Sequence, residues 1–138
     1  MAEAQMKISI KNYDVQVEVL QNEIRLLEEH EEYLYLEKIR YKKILDDFNF
    51  RIEGSRQNLS NLDNYRALNH VKGYQGEMSA LLTGNRYANA LYGIEAIINK
   101  LDSNYLEVKH IIDNKRHEIY NIQNTIDNLH YQLRRLGD

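Results

Sequence analysis

The chain has 138 residues, 28% of them charged, and a mean hydropathy of -0.66, enough for one domain but too little apolar material for a thick globular core. A formal charge of -3 with no local basic stripe argues against a nucleic-acid partner. The absence of cysteine excludes disulfides and thiolate metal sites. Apolar runs are of the size of Tyr33-Leu34-Tyr35-Leu36, far short of the ~20 residues of a membrane span, and the N-terminus carries no signal-peptide core. The expected location is therefore the cytoplasm, or outside the cell by co-secretion without a cleaved signal peptide.

From the N-terminus, apolar residues at heptad spacing predict a first helix over about residues 6–53, with Ile10, Tyr13, Val17, Leu20, Ile24, Leu27, Leu34, Tyr41, Leu45, Phe48 and Ile52 on its seam. Glu31 and Lys38 are charged seam positions. The next stretch, EGSRQNLSNLDN, has a helix-breaking composition, and Gly73, Gly76 and Gly84 follow it. It predicts a connection over about 54–76, with irregular or short-helical character extending to about 84. The leucine spacing there suits an irregular helix as well as a coil.

The second helix, predicted over about 77–136, has the stricter seam. It runs Leu91, Ile94, Ile98, Leu101, Tyr105, Val108, Ile112, Lys115, Ile119, Ile122, Ile126, Leu129, Leu133 and Leu136, with Gly137 placed to end it. Neither helix can bury its stripe alone. The expected fold is thus all-α, a long antiparallel two-helix coiled-coil hairpin forming a single domain over residues 1–138. With glycines permitting a reversal near residue 73, the seam charge Lys115 would face Glu31, or both would extend past the seam into water.

A second apolar set on helix 1, Val15, Val19, Leu26, Tyr33 and Leu36, falls at heptad positions c and f, away from the seam. The same positions of helix 2 hold Lys100, Ser103, Glu107, His110, Asn114, His117, Asn121, Asn124 and Asn128. Helix 1 is apolar front and back, while helix 2 is one-sided. Such a stripe marks a contact surface for another helical protein or for self-association, unless Leu59, Leu62, Tyr65 and Leu68, or Met78, Leu81 and Leu82, fold back over it.

Catalytic, cofactor and metal sites are not expected. Glu107 and His110 have the Glu-x-x-His spacing of carboxylate-bridged di-iron bundles, but they fall on the outer face and the motif has no second copy. His110, Asp113 and His117 share one polar face, and Glu28-Glu29-His30-Glu31-Glu32 is a hydrated acidic patch suited to a basic surface. No phosphate loop, dinucleotide fingerprint or nucleophile elbow occurs, and an extended hairpin offers no deep dry pocket.

Tyr74-Gln75-Gly76 provides an aromatic-x-Gly motif between the helices. With the hairpin architecture, it resembles the small helical proteins of Gram-positive type VII secretion, the WXG superfamily and the LXG-toxin-associated helical proteins. The resemblance implies a turn motif at Tyr74 and Gly76, and a partner that is the N-terminal helical domain of a secreted toxin, whose stability or export the protein assists as a chaperone-like accessory. Two departures stand out: tyrosine replaces the signature tryptophan, and no Tyr/Phe-x-x-x-Asp/Glu export signal follows helix 2. Tyr33-Leu34-Tyr35-Leu36-Glu37 has those letters inside helix 1. The hairpin also resembles the coiled-coil stalks of type III or flagellar export ATPases, and an acidic helical surface suits a phage or mobile-element inhibitor of a host factor.

Overall fold

A computed structural model describes residues 2–65 and 68–137. It is the expected all-α helical hairpin, with no strand among the described residues. Helix α1 spans Ala2–Ser60, a 3₁₀ turn spans Asn61–Tyr65, α2 spans Asn69–Thr83 and α3 spans Asn85–Gly137. The first long helix is α1; α2 and α3 make up the second, which is bent. No helix among the described residues is long and apolar enough to cross a membrane.

The reversal lies earlier than the glycines suggest. Helix α1 continues through Gly54 and Ser55 to Ser60, beyond the expected end near residue 53, and the chain then tightens into the 3₁₀ turn. At the α1 terminus, where carbonyls lose their intrahelical partners, Gln75 Nε2 donates to Leu59 O at 3.0 Å and to Asp63 Oδ1 at 2.6 Å. Leu68, in extended conformation, opens α2, and its carbonyl accepts from the Val71 and Lys72 amides. Gly73 and Gly76 therefore lie inside α2. Neither is there for a left-handed backbone, because no described residue has positive φ. The turn motif expected at Tyr74 and Gly76 is instead a piece of helix.

Gly84 is the glycine with a steric role. Its amide donates to Ala80 O at 2.7 Å, and a Cβ at this position would lie 2.3 Å from that same oxygen. Thr83 Oγ1 donates to Ser79 O at 2.6 Å, a back-bond of the kind that bends helices. Gly84 takes an extended backbone conformation, which separates α2 from α3, starting at Asn85.

The chain divides into two compact units, Met1–Leu34 with Asn104–Asp138, and Tyr35–Ser103. In the first, Ile10 and Val17 of α1 pack with Ile126 of α3, and Tyr13, Ile119, Ile122, Leu129 and Leu133 close around them. Ile112 is the most deeply buried, 1% exposed. Nearer the other end of this unit, Lys115 Nζ donates to Glu23 Oε2 at 2.6 Å. Residue numbers thus rise along α1 as they fall along α3, an antiparallel pairing.

In the second unit the seam is thinner. Phe48 stacks on Tyr87 at 5.7 Å, Lys38 pairs with Asp102, and Leu82 of α2 is buried. Arg56 lies over the Tyr87 ring at 4.8 Å and donates to Leu82 O at 2.8 Å, joining the end of α1 to α2 and α3.

The expected Lys115–Glu31 pair is not formed. The reversal lies closer to the N-terminus than residue 73, and Lys115 meets Glu23 rather than Glu31. Neither lysine pairs across the seam with a seam residue. Lys38 and Lys115 each extend past it to a carboxylate flanking the opposite seam, Asp102 beside Leu101 and Glu23 beside Ile24. This geometry keeps both ammonium groups partly hydrated and lowers the desolvation cost.

Two outcomes are expected. Lys115→Leu completes the apolar seam and raises stability by about 1 kcal/mol, read as a higher thermal midpoint in circular dichroism. Gly84→Ala drives a methyl into the Ala80 carbonyl and costs about 1–3 kcal/mol in the same measurement.

Candidate interaction surface

A coiled-coil helix turns positions a and d toward its mate, which leaves c and f on the outside. On α1 the structure places Val15, Val19, Leu26 and Tyr33 of the first unit there, each about half exposed or more, with Leu26 and Tyr33 at 59%. Leu36, on the α1 segment of the second unit, is also exposed. Ile8, 61% exposed, belongs to the same row. It lies one heptad before Val15, and extending the repeat backward by that step would have found it.

The row is not a continuous apolar wall. Asn12, Asn22 and Glu29 occupy intervening c and f positions and are exposed. Val15 and Val19, with Gln16, Leu20 and Glu118 of α3, line a shallow groove of about 250 Å³. Tyr33 stacks on His30 with centroids 6.4 Å apart, which leaves the ring largely open as a flat apolar surface with a polar tip.

Leu82 is buried and Leu59, Leu62 and Met78 are half-buried within the second unit, whereas Leu68 and Leu81 are themselves exposed. The side chain of Tyr65 lies outside the described residues. Val15, Val19, Leu26, Tyr33 and Leu36 are themselves exposed.

The polar c and f positions of α3 are exposed as expected, from Lys100 through His110 and His117 to Asn128. The description of α3 as one-sided needs correction, because Leu106, Tyr120 and Tyr131 are also exposed. Leu106 and Tyr120 share one heptad position, but Asp113, which faces Arg116 at 4.0 Å, falls between them, so they form no row. No group of three or more histidine, aspartate or glutamate side chains among the described residues is placed to hold a metal ion.

Charge frames the α1 row unevenly. Arg116 of α3 pairs with Glu28 at 2.8 Å, engaging one member of the acidic patch. Glu29, within the row, and Glu32, beside Tyr33, remain exposed, with Arg25 exposed on the same flank as Glu32. Tyr74 is exposed on α2, and Gly76 has open space where a side chain would be.

Comparison with protein-family models, curated proteins and solved structures finds no match for the chain. Because Val19 and Leu26 face solvent, Val19→Asp combined with Leu26→Asp is expected to change stability by less than about 1 kcal/mol, with helical circular dichroism unchanged.

Proposed function

We propose that the chain is a non-enzymatic helical binding protein that docks another helical protein along the outer face of α1. The observation that carries this reading is the exposed row Ile8, Val15, Val19, Leu26 and Tyr33, which the chain's own described residues leave in water. Apolar residues recurring by heptads suit a helix laid alongside, because a second helix presents its own stripe with the same period. Exposed apolar side chains carry a hydrophobic driving force of about 25 cal/mol per Å² once covered.

Exposed Glu29 and Glu32 near Tyr33 favour a partner that brings lysine or arginine to that end of the row. Such a protein works by covering its partner's apolar helix, as a chaperone-like accessory does, and needs no cofactor. Among helical partners, the N-terminal domain of a type VII secreted toxin is the one suggested by the resemblance at Tyr74-Gln75-Gly76. Those residues lie within α2, away from the reversal, so this narrower assignment rests on architecture and the general reading does not depend on it. In this role the protein acts in the cytoplasm or leaves together with its partner.

Co-expression with a candidate helical domain, followed by size-exclusion chromatography and light scattering, tests the reading. The wild-type chain is expected to elute as a stable hetero-complex, and Val19→Asp with Leu26→Asp to weaken it at least about tenfold while remaining folded. Full binding by the folded double variant would remove the outer face of α1 as the docking surface.

A further inference from the structure

Beside the α1 row runs a line of charge that the hairpin itself does not use. Heptad position b of α1 in the first unit holds Lys11, Glu18, Arg25 and Glu32, which alternate in sign and are all exposed. None of the four makes an ion pair among the described residues. Glu23 and Glu28, nearer the seam, are by contrast engaged by Lys115 and Arg116 of α3. Position b borders the c and f row as position g borders an a and d seam, so these charges flank whatever helix is laid on the row.

We propose that, in the absence of another helical partner, the row is occupied by a second copy of the chain, seated antiparallel on its own α1 row. This rests on the reading of the row as a docking face and names what holds that face. In an antiparallel pair the c positions of one copy meet the f positions of the other, and the register that sets Val15 against Leu26 of the second copy also sets Ile8 against Tyr33 and Asn12 against Glu29. The apolar residues then meet each other, and so do two of the polar gaps. In the same register Lys11 lies beside Glu32 of the second copy and Glu18 beside its Arg25, each pair occurring twice about the two-fold axis. Val19 meets Asn22 of the second copy near that axis, a polar insertion of the kind that fixes register at some cost in stability.

The alternatives fail on charge. Sliding one copy by a heptad sets Glu18 against Glu18 and Lys11 against Arg25, and sliding it the other way sets Arg25 against Arg25 and Glu18 against Glu32. A parallel pair sets Glu18 against Glu23 and Glu32 against Glu37. Like charges brought together oppose each of these arrangements. The favoured overlap runs from residue 8 to residue 33, about 39 Å at 1.5 Å per residue. With Asn22 and Glu29 in the row, the contact belongs to the weak, reversible class, which lets a partner with a fuller apolar stripe displace the second copy.

Sedimentation velocity of the full chain over about 5–500 µM, at low and high salt, tests the proposal. A reversible monomer–dimer equilibrium is expected in that range, weakened by salt. Glu18→Arg and Arg25→Glu, both surface changes that keep the thermal midpoint, are each expected to raise the dimer dissociation constant about fivefold at low salt. The double variant restores opposite charges across the antiparallel contact and is expected to return to within about twofold of wild type. An effect of net charge alone would move the two single variants in opposite directions. Because the chain has no cysteine, a mixture of Val15→Cys and Leu26→Cys proteins reports orientation, with the mixed disulfide expected to outpace either like-with-like one. A monomer at every concentration, a double variant no better than the single ones, or preferred like-with-like disulfides would each overturn the proposal. A monomeric wild-type chain leaves the helical-partner reading standing, since that reading is judged by the co-expressed complex; a dimer that forms while no helical domain is bound does the reverse.

Discussion

The burial of one aliphatic seam by another is the constraint on which everything else depends. In the Met1–Leu34 and Asn104–Asp138 unit, the apolar cluster of Ile10, Val17 and Ile126, together with buried Leu20, Ile24, Val108 and Ile112, forms the part of the seam that is taken out of water. Two helices side by side have no further layer, so every residue off the seam is at or near the surface. That geometry turns a second apolar row on α1 into an exposed feature. In a thicker bundle the same residues would be core.

Charge placement follows from the same thinness. A lysine on a two-helix seam is never far from solvent, and Lys38 and Lys115 use their methylenes as seam filler while their ammonium groups reach a flanking carboxylate. Such pairs set which turn of one helix lies beside which turn of the other without requiring a fully buried charge. The second unit relies on different contacts. Its seam includes the Phe48–Tyr87 stack and the Arg56 contacts.

The two functional readings rest on one surface. The α1 row is apolar, repeats by heptads and suits a helical partner, whereas the alternating charges beside it distinguish a reversed copy of the chain from a parallel one. A partner helix and a second copy use the same residues, so they compete for the row.

How much of this was legible from the residues differs by element. Helix identity, the seam and the exposed set Val15, Val19, Leu26, Tyr33 and Leu36 follow from heptad spacing, because in a two-helix fold the face of a residue is set by its number modulo seven. Ile8 was legible by the same rule. The reversal and the register of the hairpin were not. Glycines do not say whether they sit in a turn or within a helix, and here Gly73 and Gly76 are helical while Gly84 alone meets a steric demand. The Glu23–Lys115 pair and the Arg56 bond to Leu82 O bring together residues far apart in the chain. Local periodicity sets which side of a helix is oily, but only the tertiary packing sets where the chain turns and therefore which distant side chains become neighbours.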